Sequence, residues 1–134
     1  MIDISWLVNH RVLLIIFGDI VTQDDALEMN RQIIAYFEDS PHDANIHLLY
    51  IEQKLRDFPK NITWIRQHIT FLHHSKCGNN FTVTKNPLIQ FIGVVGYKAF
   101  NKHTPIFFST YENARQQLME RDPSVPPLPK SIDQ

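Results

Sequence analysis

The chain has 134 residues, 43% hydrophobic and 20% charged, a balance that belongs to one globular domain and excludes a disordered segment. A formal net charge of −1 leaves no basic field to attract nucleic acid or anionic lipid over a distance, so a nucleic-acid role is set aside. Cys77 is the single cysteine, which rules out an internal disulfide, and no run approaches the ~18 apolar residues of a membrane span. The start, MIDISWLVNHR, lacks the pattern of a secretory signal, and a cytoplasmic protein is expected.

In chain order, Ile4 to Val8 and Val12 to Phe17 are apolar runs separated by Asn9, His10 and Arg11, a polar break of hairpin length. The second run, VLLIIF, has no polar position and should be an inner strand. Thr22 followed three residues later by Asp25 is a helix start of capping-box type. Ala26, Met29, Ile33 and Phe37 then recur at helical spacing, with Leu27 and Ile34 beside them, until Pro41 closes the helix near Asp39 and Ser40. Asn45 to Glu52, NIHLLYIE, reads as the central strand, because a run with almost no polar alternation has no side to turn to water.

Ile62, Ile65, Ile69 and Leu72, with Trp64 and Phe71 on the margins, predict a second helix ending at Lys76, Cys77 and Gly78. There the glycine would take a left-handed cap, and His73, His74 and Lys76 would complement the dipole. Phe81 to Thr84 is a short strand placed nearer the sheet edge. Asn86 and Pro87 open a third helix with Leu88, Phe91, Ile92, Val95 and Ala99 on its core side. Pro105 to Ser109 is a last strand, and Ser109 with Glu112 forms a capping box for a fourth helix that turns Tyr111, Ala114 and Leu118 inward. Residues 1–122 make the domain; 123–134, PSVPPLPKSIDQ, are too rich in proline to pack regularly and read as a flexible tail.

A hairpin followed by alternating helices and strands argues for an α/β fold with right-handed crossovers, a mixed sheet of about five strands and about four helices. In the stretches VLLIIFGDIVTQDDA, IHLLYIE, FTVTKNPLIQFIG and IFFSTYENARQQL the chain resembles a SpoIIAA-like domain of the STAS superfamily, over roughly residues 4 to 120. The resemblance implies an anti-sigma-factor-antagonist-like fold. Members of that group bind a kinase-like partner and are switched by phosphorylation of a serine at the start of the helix after the central strand. Here residues 52–61 contain no hydroxyl, and the nearest, Thr63, is more simply an ordinary residue of the first helical turn. The implied function is a non-catalytic cytoplasmic protein-interaction or regulatory module that is not a serine switch.

The functional surface of an open α/β sheet lies beyond the carboxyl ends of its strands. That places Lys54, Arg56, Phe58, Lys60 and Thr63 as the candidate partner-binding residues, on the loop after the central strand and the helix start. A second candidate surface is the far side of the third helix, where Gly93, Val94, Tyr97 and Phe100 stand where charges are expected. A second copy of the chain, giving a homodimer, is its simplest partner; the competing reading has the loop before Pro105 or the tail folded over it. His73, His74 and Cys77 do not complete a four-ligand zinc set, and no metal or cofactor is expected. There is no G-x-S-x-G, P-loop or G-x-G-x-x-G, and no catalytic residue is assigned. The alternative function is a pocket for a small apolar or lipid-like ligand between the third helix and the sheet, beside Phe91, Val95 and Phe107. This is an analogy of fold with CRAL-TRIO lipid carriers.

Overall fold

The two strands with the least polar alternation lie side by side inside a five-stranded sheet. The computed structural model describes residues 1–90 and 105–132. Strands β1 (Ile2–Val8), β2 (Val12–Phe17), β3 (Ile46–Ile51), β4 (Cys77–Val83) and β5 (Ile106–Phe108) sit in space in their chain order. β1 and β2 form the expected antiparallel hairpin, with His10 supplying the left-handed turn residue at φ 59°, and every later pairing is parallel. Alternation along β3 feeds two cores. Ile46, Leu48 and Tyr50 face one side, under helix α1 (Gln23–Glu38) and helix α2 (Ile62–His68), while Leu49 and Ile51 face the other, under helix α3 (Tyr111–Arg121).

The capping box of α1 forms as predicted, Thr22 accepting from the Asp25 amide while Asp25 accepts from the Thr22 amide. Ala26, Ile33 and Phe37 are its buried stripe, and Leu27 lies outside it, exposed. α2 is shorter than its periodicity suggests. It stops at His68, a 3-10 turn follows at Phe71–His73, and Cys77 and Gly78 already belong to β4. β4 is an interior strand between β3 and β5, buried along nearly all its length, rather than a short strand near the edge. Lys76 therefore serves a different helix from the one expected: its Nζ donates to the carbonyls of Phe37 and Ser40, at 2.9 and 2.8 Å, and closes α1.

Gly78 is needed for close approach, not for a left-handed cap. A Cβ there would lie 2.9 Å from His47 Nδ1 and 3.1 Å from the Ile46 carbonyl oxygen, at the bulge where the β3–β4 register shifts. That approach lets the Asn79 amide donate to His47 Nδ1 at 3.1 Å, so the proton of the imidazole is on Nε2, which donates to Asp122 Oδ2 at 2.8 Å. Arg11 reaches the same carboxylate oxygen at 2.9 Å, and together they fasten the end of α3 to the amino ends of β2 and β3.

Two further expectations change. The cap of α3 is Thr110, accepting from Asn113, while Glu112 instead accepts from Arg115 and Gln116. The proline-rich segment is docked, not free: Val125 and Leu128 are buried in the α3-side core, Arg115 donates to the Leu128 carbonyl, and the Tyr111 hydroxyl donates to the Pro129 carbonyl. Proline carries no amide donor and needs no ladder, so an extended strap can lie on a helix with apolar side chains inward. Residues 87–90 are helical as expected, with Asn86 accepting from the Leu88 amide, but Ile89 turns inward, 6% exposed, and Leu88 outward, 47% exposed.

Leu128→Ala should cost about 2–5 kcal/mol in urea unfolding if the strap is part of the core, and no measurable loss would mean that it is not. Gly78→Ala should cost about 1–3 kcal/mol by crowding backbone and a buried ring, read from the same unfolding curves.

Candidate functional site

At the carboxyl end of β3 the chain leaves the sheet through Glu52, whose amide still donates to the Val83 carbonyl at 2.9 Å and so keeps the β3–β4 ladder going one step further. By alternation the Glu52 side chain falls on the same face as Leu48 and Tyr50, the face covered by α1 and α2. A cavity of about 190 Å³ lies there. Its floor is Tyr50, Glu52 and Thr82; Ala26 and Met29 wall it from α1, and Ile62, Trp64 and Ile65 from α2. Leu55, Phe58 and Pro59 close a third side from the loop after β3, with Ile89 and Phe107 at the far end.

The cavity follows from local sequence. Asn61 caps α2 by accepting from the Trp64 amide, and the helix is over after seven residues, too short to spread an apolar stripe across the whole width of the sheet. The loop between β3 and α2 is fixed by the neighbouring connection. The Arg56 amide donates to the Asp19 carbonyl at 2.8 Å, the Val21 amide to the Asp57 carbonyl at 2.8 Å, and the Arg56 guanidinium pairs with the Asp19 carboxylate at 3.0 Å. Phe58 and Pro59 are thus held against the cavity by backbone bonds.

Polar groups on this floor are few and unevenly satisfied. The Tyr50 hydroxyl donates to Asn80 Oδ1 at 2.8 Å. Among the described residues, Glu52 Oε2 is sealed from solvent with no hydrogen-bond partner, although Glu52 as a residue keeps some exposure. Burial alone pushes its carboxyl up from 4.5 to about 8. Asn80 Nδ2 is likewise buried without a partner, one strand away. Among the described residues the lining contains no lysine, arginine or histidine.

The residues expected from sequence to form a partner surface divide here. Lys54, Arg56, Lys60 and Thr63 are exposed; Phe58 is half-buried and lines the cavity, with the Lys60 ammonium 5.0 Å above its ring. Arg56 and Lys60 are paired with the carboxylates of Asp19 and Asp57. Gly93, Val94, Tyr97 and Phe100, expected to form an oligomer surface, lie outside the described residues, as do Phe91 and Val95. Phe107, expected beside a pocket, does border one. Cys77 is buried in β4, while His73 is exposed at the 3-10 turn, and among the described residues no group of three or more metal-ligating side chains comes together. No helix among the described residues is long and apolar enough to cross a membrane.

Sequence reasoning places Glu52 at the end of the central strand and gives it no functional role. The signal was available: it continues the inward alternation of Leu48 and Tyr50, and only Gln53 begins the exposed loop.

No protein-family model matches the chain, and no curated protein matches it. Among solved structures, it is similar to an uncharacterized protein of the DUF3478 family with a SpoIIAA-like fold from Shewanella loihica. The TM-score is 0.62 and the identity 15%, over 88% of this chain and 92% of that one. At that identity the likeness speaks for the fold, and the fold is SpoIIAA-like.

Stability should carry the signature of Glu52. The folded chain keeps this carboxyl protonated where the unfolded chain ionises, so its contribution is complete below 4.5 and is lost as the pH rises toward about 8. The melting temperature should fall between pH 5 and pH 8.5, and Glu52→Gln should flatten that fall; an equal slope in both proteins would show the carboxyl to be solvated. Asp122 works on the acid side. Held down to about 2, first by the His47 bond and then by Ser124, it adds stability above its ordinary 3.8 that is lost as the pH drops through 2. Asp122→Asn should therefore remove part of the acid-side loss and leave the loss above pH 5 in place.

Proposed function

We propose that this SpoIIAA-like domain is a non-catalytic ligand-binding module that holds one small, mainly apolar molecule between the sheet and helices α1 and α2. The observation that carries the reading is the cavity of about 190 Å³ at the carboxyl ends of the parallel strands, walled by apolar side chains from three elements. Open α/β sheets bind their ligands at that end. An apolar cavity of about 150 Å³ stays dry and accepts a benzene-sized guest, so this one is large enough for a single ring or a short alkyl chain.

A regulatory output fits the same geometry. Leu55, Phe58 and Pro59 wall the cavity, and the loop that bears them turns Lys54, Arg56 and Lys60 outward. A molecule that pushes on Phe58 reaches the side chains a protein partner would meet, so occupancy and partner contact share one segment. The reading assigns no bond-making chemistry to the site: among the described residues of the lining Glu52 is the one carboxyl, with no second acid and no histidine, lysine or cysteine beside it.

Toluene is the simplest probe. Near a hundredfold excess over its dissociation constant it should raise the melting temperature by on the order of 5–10 °C, and quench or shift the fluorescence of Trp64. Ala26→Leu, which places three more heavy atoms inside the wall, should abolish the shift while circular dichroism stays unchanged. A toluene response that survives in a folded Ala26→Leu protein would place the binding elsewhere, and no response in the parent protein would remove the proposal.

A further inference from the structure

The chemistry of the cavity floor restricts what can sit on it, and this step rests on the ligand-binding reading above. Among the described residues, Glu52 Oε2 is sealed from solvent and without a partner, and the lining holds no lysine, arginine or histidine. The other polar groups of the floor are the Tyr50 hydroxyl, already donating to Asn80, and Thr82. We propose that the occupant carries a single uncharged hydrogen-bonding head, a hydroxyl or a carbonyl, that pairs with the Glu52 carboxyl, and that both anionic and cationic heads are turned away.

The exclusions are a matter of counting. A carboxylate or phosphate head would enter a mainly apolar site with no cation among the described residues to receive it, beside a carboxyl that also repels it once ionised; burying such a charge unpaired is prohibitive. An ammonium head brings three donors. The acceptors of the floor are the Glu52 carboxylate and the hydroxyl oxygens of Thr82 and Tyr50, but taking up an ammonium requires the carboxyl to ionise and the ammonium to shed its water, and a buried ion pair repays that desolvation only with all three donors met in good geometry. An alcohol brings one donor and one acceptor. A protonated carboxyl also brings one of each, donating through its O–H and accepting at its carbonyl oxygen, so both partners are satisfied with no charge buried. Burial, which pushes the Glu52 carboxyl up to about 8, favours that protonated form at neutral pH, in agreement with the geometry.

The experiment is a series in which the ring is constant and the head varies: toluene, benzyl alcohol, benzylamine and benzoate, titrated into the full chain at pH 7 by ligand-observed NMR with calorimetry. Benzyl alcohol should bind about three- to tenfold more tightly than toluene, the worth of one neutral hydrogen bond. Benzylamine and benzoate should bind at least tenfold more weakly than the alcohol. In Glu52→Leu the advantage of the alcohol over toluene should vanish while toluene still binds, and in Glu52→Gln it should persist, because the amide also donates and accepts. Should Glu52→Leu fail to fold, the order of the four probes on the parent protein decides the matter alone. Benzoate or benzylamine binding as well as the alcohol, with toluene also bound, overturns the head-group inference and leaves the cavity reading standing. No binding by any of the four, toluene included, overturns both.

Discussion

Strand β3 has no polar face. His47 and the Tyr50 hydroxyl are its polar groups, and both residues are buried along with every other position from Ile46 to Ile51. Such a strand is stable only with a layer on each side of it. The connections after β2, β3 and β4 all contribute to the same side, since α1, α2 and Ile89 share one core with Ile46, Leu48 and Tyr50. Leu49, Ile51, Phe81 and Val83 on the opposite side are left for whatever follows β5. That demand explains why the chain continues into α3 and then lays Val125 and Leu128 on the same surface.

The second layer is secured at its end rather than along its length. α3 contributes three buried residues, Tyr111, Ala114 and Leu118, a narrow stripe for a helix that must cover an inner sheet face. Asp122, at its last turn, is gripped by His47 from β3 and Arg11 from the hairpin, and Ser124 receives a second bond from Arg11. The polar cluster thus compensates for a thin apolar contact. It also accounts for Gly78, since the imidazole can face Asp122 only if Asn79 comes close enough to hold its other nitrogen. One glycine, one buried histidine and one carboxylate link the sheet register to the docking of the last 10 or so described residues.

Much of the fold was legible because its strongest signals are local. The runs VLLIIF and IHLLYI announce inner strands, Thr22 with Asp25 announces α1, and the order of elements announces a SpoIIAA-like topology. The misreadings share a different cause. Ile62, Ile65, Ile69 and Leu72 keep a helical spacing that the backbone abandons after His68, because a chain that packs apolar residues into one core need not do so in a single helix. Val125 and Leu128 were hidden by the prolines around them, whose composition argues for disorder only when nothing nearby needs covering. The candidate site was half legible: the loop after β3 was identified, and Phe107 beside a pocket, but the cavity itself depends on where α2 stops.

The position of Glu52 is the point at which fold and site meet. One residue earlier it would face the α3 core, where nothing could satisfy it; one residue later it would stand in water with Gln53 and Lys54. Where it is, the strand ladder holds its backbone while its side chain enters a space that a short α2 leaves unfilled. A buried carboxyl without a partner costs stability in the empty domain, and a leucine at that position would remove the cost. On the proposed reading, that cost is recovered when an occupant of the cavity bonds to the carboxyl. On the same reading the domain is less stable empty than filled, and a partner touching the loop of Phe58 would sense that difference.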